Sequence, residues 1–367
     1  MTAEFPPGLL MIVGAVLVPM VKGHVRSAYM LALPLLGIWQ LVALEPGSFG
    51  AMTMFGFELT HVRIDKLSLV FGYIFYLAAA LSIIFAWHTD DPVEQASALV
   101  YVGAAVGATF AGDLITLFIY WELAALASVF LIWAGRTERA YRAGLRYLLI
   151  QITSGVLLAA GAVLRANETG SVGFDHIGLD SPGGTLILIA FGIKCAFPFL
   201  HNWLQDSYPE ASVTGTVFLS AFTTKLAVYV LARGYAGTEM LIWIGALMTA
   251  FPIFYAVIEN DLRRVLAYSL NNQLGFMVAG IGIGTTLAVN GAVGHAFAHI
   301  LYKALLFMSM GAVLYRTGTA KGSELGGLYK TMPLTAGFCI VGSASISAFP
   351  LFSGFVTKSM ILTAAAE

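Results

Sequence analysis

Five ionisable side chains lie within apolar segments of the sequence, where a charged group is costly to place. They are Glu122, Lys194, Lys225, Lys303 and Lys358. A lysine or an aspartate at the centre of a membrane helix costs roughly 2.5–3.5 kcal/mol on insertion scales. Such groups are therefore expected to pair with one another or to face a hydrated interior, and ion or proton transport is the chemistry they most often serve. For Lys358 the alternative is that its amine reaches the membrane surface.

A second set of titratable residues forms a regular stripe near the carboxyl end of the chain. His295, His299 and Lys303 are spaced four residues apart, which places them on one face of a helix. Because histidine titrates near neutral pH, the stripe predicts a proton relay. Two alternatives are a metal site, for which no third ligand at a suitable spacing is visible, and histidines that only pack against neighbouring helices.

Two prolines interrupt apolar segments in the same local context. Ala196-Phe197-Pro198 and Ala348-Phe349-Pro350 share three residues, and a lysine lies nearby in each case. Proline inside a helix removes a backbone hydrogen bond and frees a carbonyl, which is tolerated at membrane depth where it lines water or protein. Broken helices near Pro198 and Pro350, in spans of opposite orientation, favour two inverted repeats with a site in the membrane middle. A match of three residues could also arise by chance.

The composition identifies the class of protein that must position these residues. Of the 367 residues, 59% are hydrophobic and 11% are charged, and the mean hydropathy is +0.84. These values exclude a water-soluble globule, and a net charge of −1 excludes nucleic acid binding by a basic face. Cys195 and Cys339 form no metal-binding spacing and indicate no disulfide framework. The sequence predicts an all-α polytopic membrane protein.

Apolar runs long enough to cross or nearly cross a bilayer predict about twelve transmembrane helices. They cover residues 6–21, 28–44, 67–87, 97–112, 114–134, 145–164, 184–204, 212–232, 239–258, 264–284, 288–315 and 333–363. We expect three units: helices 1–3 with an outer loop at 45–66 in residues 1–96, a first repeat in 97–235, and a second, truncated repeat in 236–367. The first run lacks the basic start and the cleavage site of a signal peptide.

The loops between these spans predict the orientation of the chain. With the first loop placed in the cytoplasm, eleven basic residues lie in cytoplasmic loops and four in outer loops. The cytoplasmic set is Lys22, Arg26, Arg136, Arg139, Arg142, Arg146, Arg263, Arg264, Arg316, Lys321 and Lys330, and the outer set is Arg63, Lys66, Arg165 and Arg233. This bias follows the positive-inside rule, and it predicts that both termini lie on the outer, periplasmic side.

With these residues in view, the chain resembles the antiporter-like membrane subunits of respiratory complex I, membrane-bound hydrogenases and Mrp cation/proton antiporters. The motifs are Trp121-Glu122, Lys194 through Trp203, Asp206-Ser207-Tyr208-Pro209, Thr224 through Tyr229, Asp261 through Ser269, Asn272 through Phe276, Lys303 through Phe307, and Ser353 through Lys358. The sequences around Asp206 and Lys225 are similar to those of the Mrp D-type subunits.

The resemblance implies two inverted repeats of five helices, each with a half-channel, joined by a polar axis. Carried over by motif, Glu122 and Lys194 would be the interacting ion pair of the first half, and Lys225 the bridging group. An acid near a lysine strengthens the hold of that lysine on its proton, and separating the pair weakens it. The implied function is proton translocation in an Mrp-type antiporter of a bacterial inner membrane.

In the second half, Lys303 with His295 and His299 would be the relay, and Lys358 the terminal lysine. Family members usually continue with further spans, whereas this sequence stops at Glu367, so we expect either that another chain completes the second repeat or that this is a shortened version. The expected partners are other membrane subunits and lipid, with no cofactor, no metal and no redox centre. Two alternatives stay open: a pumping subunit of an NADH- or hydrogen-linked redox complex, and a scaffold subunit that does not conduct. The coupling ion, whether Na⁺, K⁺ or only H⁺, is not fixed by the sequence.

Overall fold

The computed structural model describes residues 5–54 and 56–367, and these residues fold mostly as helices. Residues 1–4 of the expected N-terminal unit and residue 55 of the expected outer loop lie outside the described residues. The N-terminal part contains α1 (Leu9–Ala15), α2 (Gly23–Val42), β1 (Gly47–Met54), β2 (Phe57–Ile64) and α3 (Lys66–Phe85).

Two successive groups of helices follow. The first contains α4 (Pro92–Phe110), α5 (Leu114–Trp133), α6 (Glu138–Thr169), α7 (Pro182–Lys194), α8 (Asn202–Ser207), α9 (Val213–Ala221) and α10 (Thr223–Gly234). The second contains α11 (Met240–Ile258), α12 (Leu262–Ile283), α13 (Thr286–Thr317), α14 (Leu328–Thr331), α15 (Pro333–Ile346) and α16 (Ser353–Ala366). Single 3-10 turns lie at Val18–Met20, Ala86–His88 and Gly322–Glu324.

Each of the twelve predicted spans corresponds to a helix or a pair of helices, so the predicted polytopic helical fold is confirmed. Among the described residues, eight helices are long and apolar enough to cross a membrane. Three shorter apolar segments are Leu9–Met20, Pro182–Lys194 and Pro333–Ile346. The last two are short because the predicted spans 184–204 and 333–363 are each interrupted in the middle.

The two groups of helices are repeats of one structure, with an offset of 148 residues for the first three helices of each group and of 152 residues at the helix breaks. Equivalent features are the Asp113 and Asp261 helix caps, the Thr137 and Thr285 caps, and the left-handed Gly170 and Gly318. Asp113 also forms an isolated β-bridge with Gly173, and Asp261 forms the same bridge with Lys321. Because the first repeat crosses the membrane five times, the second begins on the opposite side, which makes the repeats inverted. Within the described residues, α9 and α10 have no counterpart in the second repeat.

The two predicted helix breaks are present, and they share one backbone geometry. Positive φ angles occur at equivalent positions, which are Ala196 (58°), Phe199 (69°), Ala348 (56°) and Leu351 (75°). In each break the amide of the phenylalanine before the proline donates to the carbonyl five residues back, at 2.9 Å in the first and 3.0 Å in the second. Residues other than glycine seldom adopt positive φ angles. Because the same pattern occurs in both repeats, chance does not explain the three-residue match.

The region expected to be an outer loop at 45–66 instead contains a β-hairpin. Strands β1 and β2 pair in antiparallel fashion, from Gly47 opposite Ile64 to Met54 opposite Phe57. The hairpin is held to the start of α5, because the Thr60 amide donates to the Asp113 carboxylate at 3.0 Å. Apolar residues at positions 57, 59, 62 and 64, separated by polar ones, were the available sequence signal for β2.

The predicted span 212–232 is interrupted, although no proline or glycine at the interruption predicts it. It forms α9 and α10, which meet at Phe222. All residues from 214 to 232 are buried. The pair packs against α3, α5, α7, α12 and α13, so it lies between the two repeats at the centre of the molecule.

Candidate functional site

The four lysines found within apolar segments are bound to neutral groups. Lys194, Lys225 and Lys303 are at most 1% exposed, whereas Lys358 is half-buried. Within the part of the chain that the structure describes, none of them has a carboxylate within 4.0 Å. Each ammonium donates instead to a backbone carbonyl or a hydroxyl.

Lys225 binds the helix interruption at the centre of the molecule. Its ammonium donates to the Ser220 carbonyl at 2.5 Å and to the Thr224 hydroxyl at 3.2 Å. Ser220 is in the last turn of α9, where a helix leaves carbonyls without intrahelical partners. Tyr208 donates in the same way to the Leu219 carbonyl at 2.8 Å. Lys225 therefore stabilises the interruption and is held there without a counter-ion.

Lys358 has the same relation to the break in the second repeat. Its ammonium donates at 2.7 Å to the carbonyl of Ile346, the last residue of α15, and lies 5.0 Å from the Phe276 ring centroid. In the first repeat, the equivalent carbonyl region is bound by Trp203, whose indole donates to Ile193 at 2.9 Å. The amine of Lys358 is thus directed at the helix break, which does not match the alternative that it reaches the membrane surface.

Lys194 and Glu122 lie in the same region without forming a contact ion pair. Lys194 donates at 2.7 Å to the carbonyl of Trp121, the residue before Glu122, and its ammonium is 4.2 Å from the centroid of the Trp121 ring. The Glu122 oxygen Oε1 is buried, has no hydrogen-bond partner in the part of the chain that the structure describes, and lies against Gly155 of α6. The direct pair that the family resemblance implies is therefore absent in this conformation, because the carboxylate turns toward α6.

The predicted stripe on α13 is buried along its whole length. His295 Nδ1 is 2.8 Å from the Thr357 hydroxyl, and its Nε2 is 3.2 Å from the Gln273 amide oxygen. Gln273 and Thr357 come from α12 and α16, so His295 joins three helices. Neither residue was a sequence candidate, since neither is titratable.

The other two members of the stripe differ in their bonding. Neither ring nitrogen of His299 has a hydrogen-bond partner among the described residues, although the ring is completely buried. Lys303 donates to the hydroxyl of Ser269 on α12. Among the described residues, no group of three His, Cys, Asp or Glu side chains lies close enough to hold a metal ion.

One buried acid was missed by the sequence reasoning. Glu94 is 7% exposed and accepts hydrogen bonds of 2.5 Å from the hydroxyls of Ser212 and Thr214. It precedes the predicted span 97–112 by three residues, whereas α4 begins at Pro92 and includes it. An Asp cap followed by proline and a glutamate in the first turn was the signal for this earlier start.

A charged cluster lies at the end of the molecule that carries the β-hairpin. The Asp65 carboxylate accepts from the Ser68 amide at 2.9 Å and from Arg233 at 2.8 Å, and Arg63 lies 3.3 Å away. Burial by itself would raise the pKa of Asp65, but the Ser68 hydrogen bond and the charges of Arg233 and Arg63 outweigh burial and lower it. Asp65 stays ionised and connects the start of α3 to the end of α10.

Two inverted helical repeats with interrupted helices and buried lysines define a class of antiporter-like membrane proteins. The family model described as "NADH:quinone oxidoreductase/Mrp antiporter, TM" matches residues 111–367. The chain belongs to this family.

Individual relatives carry both antiporter and oxidoreductase names. The D subunit of the Na(+)/H(+) antiporter of Alkalihalophilus pseudofirmus is 32% identical over 281 residues, covering 71% of this chain and 56% of the relative. The N subunit of the NADH-quinone oxidoreductase of Desulforudis audaxviator is 34% identical over 292 residues, covering 73% and 58%. The A/B subunit of a probable K(+)/H(+) antiporter of Rhizobium meliloti is 30% identical over 330 residues, covering 83% and 33%. The matched part is between a third and three fifths of each relative.

Solved structures share the fold at low sequence identity. A chain of the Mrp complex from Dietzia sp. superposes with a TM-score of 0.84 at 23% identity, covering 99% of this chain and 74% of that chain. A chain of respiratory complex I from Thermus thermophilus gives a TM-score of 0.81 at 21% identity, covering 98% and 82%.

Proposed function

We propose that this chain is a proton-translocating subunit of a multisubunit monovalent cation/proton antiporter of the Mrp type, in a bacterial inner membrane. The names of its antiporter relatives support the proposal. The observation that carries it is the set of buried lysines in both repeats that are bound to neutral groups. An ammonium fixed by a buried carboxylate is costly to discharge, whereas one bound to carbonyls and hydroxyls can give up its proton to a neighbour.

The proposed path runs from the first repeat through the central interruption to the second repeat. Glu122 and Lys194 act in the first repeat, and Lys225 bridges the repeats from the central interruption. His295, His299 and Lys303 relay protons through the second repeat, and Lys358 is the terminal lysine at the second break. If the Glu122 carboxylate turns from α6 toward Lys194, it strengthens the hold of that lysine on its proton, and turning back releases the proton onward.

The proposal also covers the division of the chain into units, its orientation in the membrane and its partners. We propose residues 97–235 and 236–367 as the two translocating units, preceded by residues 1–96. In this proposal both termini lie on the periplasmic side, and other membrane subunits are the partners. Labelling of cysteines introduced near each terminus, in intact cells with a reagent that does not cross the membrane, tests the orientation.

The test of function is exchange in everted membrane vesicles that contain the assembly. Glu122→Ala and Lys194→Ala are each expected to abolish Na⁺- or K⁺-dependent proton movement while the complex still assembles on native gels. Lys66→Ala, at an exposed lysine at the start of α3, is the matched control and is expected to exchange normally. Normal exchange in the first two variants would contradict the proposal and favour a scaffold subunit.

The second candidate function is a pumping subunit of a redox complex. It is favoured by the identity of 34% to the N subunit of an NADH-quinone oxidoreductase. Proteins that copurify in mild detergent separate the two functions. Flavin or iron–sulfur partners would support the redox complex, and small hydrophobic antiporter subunits would support the Mrp type.

A further inference from the structure

The repeat offset gives the polar stripe of α13 a counterpart on α6. Moving each residue back by 148 positions matches His295 with Tyr147, His299 with Gln151, and Lys303 with Gly155. The three residues on α6 are buried, as are the three on α13. The first repeat therefore has its own stripe, in which no member is titratable near neutral pH.

A charged group lies at the end of both stripes, but it comes from different helices. In the first repeat, Glu122 of α5 directs its carboxylate into the space beside Gly155 of α6. In the second repeat, Lys303 of α13 directs its ammonium to Ser269 of α12. Ser269 of α12 is the counterpart of Trp121 of α5, because the two residues are also 148 positions apart. The charge of Glu122 therefore lies where α5 meets α6, and the charge of Lys303 lies where the equivalent helices α12 and α13 meet. The glycine at position 155 makes room for the glutamate.

The middle position of both stripes holds a polar side chain without protein partners. Gln151 is completely buried, and neither its amide oxygen nor its amide nitrogen has a hydrogen-bond partner among the described residues. Equivalent His299 is in the same state, with both ring nitrogens unpartnered. An unsatisfied buried polar group destabilises the folded state, and a leucine of similar size would avoid this cost. Packing alone does not explain two such groups at equivalent positions.

Water is the partner that fits these groups. Buried waters typically make about three hydrogen bonds to polar groups that lack protein partners. Gln151 offers a donor and an acceptor one helical turn from Gly155, and the unpartnered Glu122 oxygen lies beside that glycine. A water that bridges the Gln151 amide and the Glu122 carboxylate would satisfy both groups.

We propose that Gln151 is a water-positioning residue of the proton path, the first-repeat counterpart of His299, and that it holds water against the Glu122 carboxylate. The inference rests on the proposed function and adds a residue to it. Gln151 itself does not exchange a proton, since an amide does not titrate near neutral pH. It orders the water through which Glu122 receives or releases a proton.

The first test detects the water directly. X-ray radiolysis of the purified assembly generates hydroxyl radicals from bound water, and mass spectrometry then measures oxidation of the buried Tyr147, one turn from Gln151. We expect rapid Tyr147 oxidation in the wild type and its loss in Gln151→Leu. Unchanged oxidation of Tyr147 in the leucine variant would overturn the inference, whatever the exchange activity.

The second test measures exchange in the same vesicles used for Glu122. Gln151→Leu is expected to lower the maximal rate about tenfold, with the cation KM and the thermal unfolding of the assembly close to wild type. Gln151→His, which copies the second repeat, is expected to restore most of the rate. Gln40→Leu controls for removing a buried glutamine outside the repeats, since Gln40 is 1% exposed on α2.

The outcomes separate the inference from the proposed function. Full exchange in Gln151→Leu, together with loss of exchange in Glu122→Gln, would overturn the role of Gln151 and leave the proposed function standing. Full exchange in Glu122→Gln would overturn the proposed function itself. Equal loss in Gln151→Leu and Gln151→His, with a lowered unfolding temperature in both, would show a packing role and also overturn the inference.

Discussion

The Glu122 carboxylate occupies the place that a β-carbon on Gly155 would fill. This contact directs the acid of α5 toward α6, while Lys194 is held by the carbonyl of Trp121 at 2.7 Å. The acid and the lysine thus lie in the same region of the molecule but face different partners. An ion pair between them requires the carboxylate to leave Gly155, which makes this glycine a determinant of the resting position of the acid.

The first prediction follows from that contact. Gly155→Ala is expected to displace the carboxylate, which is the end of a flexible side chain, without moving backbone. We expect exchange to fall about tenfold, while helix α6 gains up to ~1 kcal/mol of helix propensity. Gly337→Ala in α15, where a β-carbon meets no atom within 4 Å, is the control and is expected to exchange normally. Normal exchange in Gly155→Ala would show that the position of Glu122 is not critical.

The second prediction separates the two roles of Lys225. Its ammonium binds the Ser220 carbonyl, so Lys225→Met leaves that carbonyl without its donor at a cost of about 1–3 kcal/mol. Lys225→Gln keeps a hydrogen-bond donor but removes the charge. Both variants are expected to lose exchange, whereas the thermal unfolding of the assembly is lowered more by methionine than by glutamine. Exchange retained in the glutamine variant would mean that Lys225 serves only the helix interruption.

The helix breaks show where sequence reasoning succeeds and where it stops. The breaks near Pro198 and Pro350 were predictable because proline removes a hydrogen bond wherever it stands in a helix. The interruption at Phe222 has no proline or glycine to announce it. It depends on donors that arrive from elsewhere, the amine of Lys225 and the hydroxyl of Tyr208. A break of this kind becomes visible only when the packed structure supplies its partners.

In the candidate site, too, local sequence predicts some features and only packing determines the others. The stripe through His295, His299 and Lys303 was predictable because its spacing and its titratable side chains are both local. The orientation of Glu122 was not, since Lys194 lies 72 positions further along the chain and only packing determines which neighbour the acid faces. Gln151 gave no signal by residue type. Its equivalence to His299 appears only when the two repeats are superposed by their caps and bridges.

The third prediction concerns the neutral partner of Lys303. Ser269→Ala removes the hydroxyl that accepts from the ammonium, and hydrogen bonds to charged groups contribute about 1.5–3 kcal/mol. We expect exchange to fall by a factor of about ten, and Ser269→Thr, which keeps the hydroxyl, to restore it. Ser309→Ala is the control, because Ser309 bonds only to the carbonyl of Leu305 one turn back on the same helix. Equal rates in Ser269→Ala and Ser309→Ala would contradict a role for Ser269 in holding the lysine.

The last prediction uses the charged cluster at the hairpin end. The Ser68 amide and Arg233 outweigh burial and hold the pKa of Asp65 below its usual value, so the ionised form stabilises the folded state. This stability is complete above the unfolded pKa of about 3.9 and is lost as the pH falls through the lower folded value. Asp65→Asn is therefore expected to lower the Tm by about 2 °C at pH 7, a difference that shrinks toward zero at a pH low enough to protonate the wild-type carboxyl. Asp175→Asn, at an exposed partner of Arg63, is expected to leave the Tm unchanged at both pH values. If the asparagine variant at position 65 is destabilised equally at both pH values, its effect comes from packing and the ionic connection between α3 and α10 is unimportant.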